Sequence, residues 1–418
     1  MNRTLFPHFF AFLLTGGLLA FPGACLDLLL RDFHWTPALF GVAMMLQGGS
    51  SFVGSRFASR RCGGDRYRSW VAWSLCFLAS GVVFYYFADW TLFPVLSGVG
   101  MPAEVVFWSR LFGICLIGFG IGCNGILNNA AALVSEKPSF GLNLLNMGFT
   151  AGAVLLPSTA SQFLKWTGLT EGALAWRWPA GGLVFCYLLL TLHVLRSPHV
   201  AQPPPVQPKS DDASRGSFPF PVWAACLVLF CYVGSEINLS NSLGLMSELM
   251  FGFSNADARL ASSFFWGGLL AVRLYFCFRS PPASSYPRVM MVLSSLCVVL
   301  FAALLLRFFA EGRHALLVSR IVILSLGACI GGMYSLTLGS LTALFESHES
   351  RRFANITVLS GVAGAVLLPF TFGQFTNLFG LVNATSFILV LLCGMLTGAA
   401  LLFFTSRAHA KGQAAGSI

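Results

Sequence analysis

Charged side chains are scarce in this sequence: Asp, Glu, Lys and Arg together make up only 10% of its 418 residues. A soluble chain carries charge on roughly a quarter of its residues, because its surface must be hydrated. Hydrophobic residues make up 56% instead, and the mean hydropathy is +0.77. This composition excludes a soluble domain and predicts an integral membrane protein.

Patterns typical of catalysis or metal binding are also missing. The chain has seven histidines, which fall mostly at chain ends and in polar segments, and no Cys/His spacing indicates a metal site. There is no G-x-x-x-x-G-K-[ST] loop, no paired carboxylate set and no soluble region large enough to bind a nucleotide. We therefore expect neither an enzyme nor an ATP-driven pump, and we expect no cofactor or metal.

Disulfide spacing is absent although the chain has twelve cysteines. Nearly all of them lie within apolar segments, for example Cys226, Cys297 and Cys393. We interpret them as free thiols that pack as small apolar side chains.

Long apolar segments are abundant. Each is near or above the roughly 20 residues that a helix needs to cross a bilayer, and too long for the roughly 10-residue strands of a membrane barrel. We predict helices, because backbone polar groups in lipid must be hydrogen-bonded within their own segment. The twelve predicted spans are 5–30, 37–58, 70–88, 103–134, 140–164, 178–195, 219–246, 258–278, 287–309, 315–345, 353–378 and 381–405.

The chain contains an internal repeat. Residues 151–157 return unchanged as 363–369, which is 212 positions later, and residues 50–52 match 262–264 at the same offset. A constant offset over about a hundred residues indicates a duplicated unit. Six spans per unit is an even number, so the two halves are parallel, and we expect residue i to superpose on residue i + 212.

This pattern predicts an all-α membrane protein with two six-helix halves, residues 1–195 and 219–418. Residues 196–218 between them are polar and rich in proline, which predicts a linker. The net charge is +10, but the basic residues, Arg273 among them, lie at span ends, so they indicate orientation and not a nucleic-acid partner. Their distribution predicts cytoplasmic termini and a cytoplasmic linker. Residues 92–100 are too short to span, and we interpret them as an interfacial or re-entrant piece of an outer loop.

Two parallel six-helix halves with a cytoplasmic linker resemble the major facilitator superfamily over essentially the whole chain. Residues 232–236, Tyr-Val-Gly-Ser-Glu, and residues 263–273, which contain Phe-Trp-Gly-Gly-Leu and end in Arg273, resemble the fucose-permease-like sugar:proton symporter branch. Residues 142–157 are similar to the fifth helix of that branch. The resemblance implies the major facilitator fold and a proton-coupled carrier of a sugar or related hydroxylated compound, working by alternating access.

The sequence departs from that branch at three places. The superfamily signature G-x-x-x-D-R-x-G-R after the second span keeps Gly54 but has no aspartate within residues 55–61. Val272 occupies the usual glycine position before Arg273, and the tryptophan that follows the seventh-helix glutamate is missing. The missing tryptophan favours the alternative, an exporter of drugs or amphipathic metabolites from the same superfamily.

Few ionisable side chains lie inside the predicted spans, where they are costly unless they face a cavity or a partner. We predict that Glu236 in the seventh span couples transport to protons, with sodium as the alternative ion, and that Arg320 in the tenth span is its counter-charge. Asp27 and Arg110 form a weaker mirror pair, because the repeat offset places Asp27 about one turn from the position of Glu236. In the competing interpretation, Asp27 belongs to the outer mouth and both arginines anchor helix ends.

Neutral amides are the candidate ligands for a small-molecule substrate, because they both donate to and accept from hydroxyl groups. The same property suits hydrogen bonds between helices, which is the competing interpretation for each of them. The predicted set is Gln47, Asn124, Asn128, Asn146, Asn238 and Asn241. We expect a monomer in the plasma membrane, which is the inner membrane in a bacterium, with lipid as its surroundings.

Overall fold

The computed structural model describes residues 5–61, 66–90, 102–133, 138–167, 177–197, 218–279, 281–306, 315–345 and 347–416. Nearly all of the predicted linker and the whole 92–100 segment lie outside these ranges. The regular elements within the ranges are all helical. In the first half they are α1 (Phe6–Ala24), α2 (Leu26–Phe33), α3 (Pro37–Arg61), α4 (Tyr67–Tyr86), α5 (Ala103–Leu133), α6 (Pro138–Thr167) and α7 (Arg177–Arg196).

The described part of the second half also contains seven α-helices. Its helices are α8 (Phe220–Phe251), α9 (Asn255–Phe278), α10 (Tyr286–Leu305), α11 (Ala315–Gly331), α12 (Met333–Leu344), α13 (Ser347–Phe379) and α14 (Leu381–Gly416).

The helices occupy all twelve predicted spans. Two spans are interrupted: α1 continues into α2 through Cys25, and α11 continues into α12 through Gly332. Within the described ranges, ten helices are long and apolar enough to cross a membrane. Large apolar side chains such as Trp73, Phe185 and Val390 are exposed on them, as expected for surfaces that contact lipid. The protein is therefore an integral, multi-pass membrane protein.

The chain divides into two compact units, Met1–Ser210 and Asp211–Ile418. In the first unit, α1 packs on α6, α3 on α5, and α4 on α5 and α7. In the second unit, α8 packs on α13, α9 on α11, and α10 on α11 and α14. Both units thus pair their first span with the fifth, their second with the fourth and their third with the sixth, as the repeat predicts.

Glycines set the closest helix contacts in both units. A Cβ atom at Gly152 of α6 would overlap the carbonyl oxygen of Leu13 in α1, and one at Gly364 of α13 would overlap that of Phe230 in α8. The backbones therefore touch directly, which is how small residues pack membrane helices.

The same contacts show that no single offset relates the two units. Gly152 and Leu13 are 139 positions apart, whereas Gly364 and Phe230 are 134 apart. The first span has therefore shifted by five residues against the fifth between the two units. The expected superposition of residue i on residue i + 212 is wrong as a general rule, although it describes the fifth spans, whose sequences are identical over 151–157 and 363–369.

The free thiols predicted from the cysteine pattern are present. Eleven of the cysteines lie in the described residues, and each of these is free.

Candidate functional site

Glu236 lies at the middle of α8, a helix of 32 residues. At 1.5 Å per residue such a helix is about 48 Å long, which exceeds the roughly 30 Å hydrocarbon core of a bilayer. The carboxylate is therefore near mid-depth in the seventh span, and only 13% of its side chain is exposed. A charge at this depth needs a partner or a cavity.

Its ionic partner is Arg273 of α9. The Nη2 atom of Arg273 lies 3.8 Å from Oε1 of Glu236 and donates a hydrogen bond to the hydroxyl of Tyr232 at 3.3 Å. Tyr232 precedes Glu236 by one helical turn, so both side chains lie on the same face of α8, where they are close enough to interact. Tyr232, Glu236 and Arg273 are called the Glu236 cluster below.

Arg273 also reaches a third element. Its Nε atom donates to the carbonyl oxygen of Gly331 at 3.4 Å, and α11 ends at Gly331 where the tenth span is interrupted. The last carbonyl groups of a helix have no partner within it, and they attract cations. One guanidinium thus connects the carboxylate in α8 with the end of α11.

The predicted pair of Glu236 with Arg320 is not formed. The Nη2 atom of Arg320 lies 2.7 Å from Oδ1 of Asp257, an acid in the first turn of α9 whose backbone is capped by Ser254. Sequence reasoning chose Arg320 because it is an intramembrane arginine, and it counted Arg273 among the basic residues at the end of a span. The sequence does not reveal that the long side chain of Arg273 extends from the last turns of α9 to the middle of α8.

In the first unit the charge beside Arg110 is Asp89, at 3.6 Å. Asp89 also pairs with Arg177 at 2.6 Å, and the guanidinium of Arg110 lies 3.7 Å from the centre of the Phe33 ring. Both arginine side chains are buried. We interpret these ion pairs as structural contacts that join the third, fourth and sixth spans. Asp27, the predicted partner of Arg110, lies in the first turn of α2.

The first unit has no acid at the position of Glu236. The packing register aligns Gly17 of α1 with Gly234 of α8, because the two glycines meet equivalent leucines of the fifth spans. Glu236 then corresponds to Leu19, and Asp27 lies eight positions beyond it rather than about one turn away. Asp27 therefore does not occupy the position equivalent to Glu236, and the predicted pair of Asp27 and Arg110 is not the counterpart of the Glu236 cluster.

Two of the predicted ligand amides are engaged in hydrogen bonds between helices. Asn124 of α5 donates to the hydroxyl of Thr15 in α1 at 2.8 Å, and Asn128 donates to the side chain of Asn124. The Nδ1 atom of His8 lies 2.5 Å from Oδ1 of Asn128. All four side chains are buried, and together they fasten the first span to the fourth.

The other predicted ligands differ in exposure. Asn146 is exposed, whereas Gln47, Asn238 and Asn241 are buried. Within the part of the chain that the structure describes, the Nδ2 atom of Asn238 has no hydrogen-bond partner. The same part of the chain contains no group of three His, Cys, Asp or Glu side chains that could hold a metal ion.

Comparison with known proteins supplies no match to a family model and no match among curated proteins. Solved structures do match. The chain is similar to a D-xylose-proton symporter (TM-score 0.73, 13% identity, 96% of each chain covered). It is also similar to a bacterial homologue of the iron transporter ferroportin (0.67, 13%, 97% of this chain and 99% of that one). A bacterial homologue of the human lysosomal transporter Spinster matches as well (0.66, 14%, 96% of each).

The fold is that of the major facilitator transporters. The similar structures, by their names, are a sugar symporter and bacterial homologues of an iron transporter and of a lysosomal transporter, so they do not favour one branch of that fold. At these identities the likeness shows the architecture alone, and the solute has to be argued from the side chains of this chain.

Proposed function

We propose that this protein is a secondary active transporter that moves a small hydroxylated solute, a sugar or a related compound, by alternating access coupled to protons. The observation that carries the proposal is the Glu236 cluster, an ionisable carboxylate at mid-depth of the seventh span with a guanidinium and a phenol beside it.

The cluster has the properties that proton coupling requires. Burial favours the neutral form of a carboxylate, and a nearby guanidinium favours the charged form. At 3.8 Å, Arg273 is close enough to bias Glu236 but does not hold it in a short ion pair. A small change in this distance between the two states of the transport cycle would bind or release a proton, which is the two-state behaviour that coupling needs.

The solute class rests on the resemblance of residues 232–236 and 263–273 to sugar:proton symporters and on the buried amides of α8. Asn238 has an unsatisfied amide nitrogen among the described residues, and an unsatisfied buried donor costs about 1–3 kcal/mol unless something accepts from it. A solute hydroxyl is one such acceptor. We also propose that the protein is a monomer in the plasma membrane and that its termini and the 196–218 linker lie in the cytoplasm.

The test is uptake into proteoliposomes that contain the purified protein, with a pH gradient that is acidic outside and a panel of labelled sugars. We expect one or more sugars to accumulate above the outside concentration, and a protonophore to abolish the accumulation. Efflux of amphipathic dyes with no sugar uptake would contradict the proposal and favour the exporter alternative.

Glu104→Gln is a matched control for variants of Glu236, because Glu104 is an exposed acid in the first turn of α5. It should accumulate the same sugars as the unmodified protein.

A further inference from the structure

Hydrogen bonds to methionine sulfur atoms show how α10 is aligned with the tenth span. The Sδ atom of Met290 accepts hydrogen bonds from Thr337 at 3.9 Å and from Ser340 at 3.8 Å. One turn along α10, Ser294 donates to Sδ of Met333 at 3.7 Å. Residue numbers rise along α10 while they fall along the tenth span, so the two segments run antiparallel.

The next turn of this register brings Cys297 of α10 opposite Cys329 of α11. Cys297 and Cys329 lie close enough for their side chains to interact, α10 packs directly on α11, and both side chains are buried. Both cysteines are free. The register and the packing of the two helices therefore place the two thiols next to each other.

We propose that Cys297 and Cys329 are an oxidisable dithiol, which hydrogen peroxide converts into a disulfide that fastens α10 to α11 one turn before the interruption of the tenth span. This inference does not depend on the proposed transport function. Hydrogen peroxide is the oxidant because it is small and neutral, so it can reach a site within the bilayer.

The reaction balances in two steps. One sulfur attacks peroxide, an S–O bond forms as the O–O bond breaks, and the hydroxide that leaves takes up the thiol proton to give water. The second sulfur then attacks the sulfenic acid, the S–S bond forms as the S–O bond breaks, and a second water leaves with the other thiol proton. The two cysteines lose two electrons and the peroxide gains them.

The closeness of the two thiols makes the second step fast, because the resolving thiol is already in place at a high effective concentration. Two other buried cysteines have partners of a different kind. Cys226 lies 3.7 Å from the hydroxyl oxygen of Thr357, and Cys123 donates to the carbonyl oxygen of Gly54 at 3.3 Å. They serve as matched controls for burial within the membrane.

The experiment exposes the full-length protein in membranes to hydrogen peroxide, removes the oxidant with catalase, and alkylates the remaining thiols under denaturing conditions. Mass spectrometry of the digest should detect a peptide pair linked through Cys297 and Cys329 that separates on reduction. At the same dose Cys226 and Cys123 should stay alkylated. If both members of the pair remain alkylated at a dose that oxidises the exposed Cys186, or if they form sulfinic acid without a link, the inference is wrong.

The variant Cys329→Ser provides a second experiment, because serine has nearly the same side-chain volume as cysteine. In this variant no second thiol can displace the hydroxyl of a sulfenic acid at Cys297, so Cys297 should be recovered as the thiol or as a sulfenic acid that dimedone traps. Dimedone labelling of Cys297 in the unmodified protein at the same dose would overturn the inference, because it would show that Cys329 does not resolve the sulfenic acid.

Discussion

At the residue scale, Arg273 contacts acceptors on two sides of its guanidinium group. Its Nη2 atom faces Glu236 and Tyr232, while its Nε atom donates to Gly331 at the end of α11. A planar guanidinium presents donors on separate nitrogen atoms that point in different directions, whereas the donors of lysine all lie on one nitrogen atom. The charge of Glu236 is thereby linked to the interruption of the tenth span.

This geometry predicts graded effects at Arg273. Arg273→Gln removes the counter-charge and should abolish sugar accumulation driven by a pH gradient, with a loss of stability of about 3–5 kcal/mol, the usual result of removing one partner of a buried pair. Arg273→Lys keeps the charge and should retain partial accumulation. Uptake and thermal melting measure the two effects, and Arg279→Gln, at an exposed position six residues away, is the control. Normal accumulation by Arg273→Gln would exclude the Glu236 cluster as the coupling site.

Asn124 of α5 is either a structural side chain or a substrate ligand, and one variant separates the two roles. If Asn124 is structural, Asn124→Ala leaves Thr15 and Asn128 without their buried partner and should cost about 1–3 kcal/mol, seen as a lower melting temperature with an unchanged apparent KM. Asn146→Ala, at an exposed position, should melt as the unmodified protein does. A raised KM with unchanged melting would instead make Asn124 a substrate ligand.

At the element scale, the sequence was sufficient to predict all twelve spans, because apolar length and the repeat determine where helices form. It was not sufficient to predict which charges meet. The identical segments 151–157 and 363–369 fix the offset of the fifth spans only, and the first span is shifted by five residues against the fifth between the two units. Glu236 meets Arg273 and not Arg320 because the long side chain of Arg273 extends from the last turns of α9 to the middle of α8, which residue spacing does not reveal.

Two adjacent glycines of α9 test how these contacts set helix position. A Cβ atom at Gly268 would overlap the carbonyl oxygen of Leu324 in α11, whereas one at Gly267 would have nothing within 4 Å. Gly268→Ala should therefore destabilise the protein by about 1–3 kcal/mol, since a backbone must move. Gly267→Ala should be neutral or stabilise by up to about 1 kcal/mol through helix propensity. Thermal melting of both variants measures the difference, and equal melting temperatures would contradict the contact.

At the scale of the whole molecule, the two units share three helix pairs but not their chemistry. The second unit has an acid, an arginine and a tyrosine at mid-depth, whereas in the first unit the position of Glu236 is taken by Leu19 and a network of neutral side chains joins α1 to α5. We infer that the second unit carries the proton and that this network of the first unit contributes mainly packing.

The orientation of the molecule is a separate prediction. Basic residues concentrate at one end of the spans, so the linker should face the cytoplasm. A cysteine introduced at Ser210 should react with a membrane-impermeant maleimide only after the cells are opened, compared with the labelling of the unmodified protein as background. Labelling of intact cells above that background would reverse the orientation.

Proton movement that accompanies solute entry tests the central claim most directly. Addition of a transported sugar to weakly buffered proteoliposomes, with no imposed gradient and the membrane potential clamped, should raise the external pH as protons enter with the sugar. Glu236→Gln should abolish this signal while sugar counterflow continues, because glutamine mimics the protonated acid and leaves the binding step intact. Sugar-dependent alkalinisation of normal size in Glu236→Gln would contradict the account and assign the proton to another group.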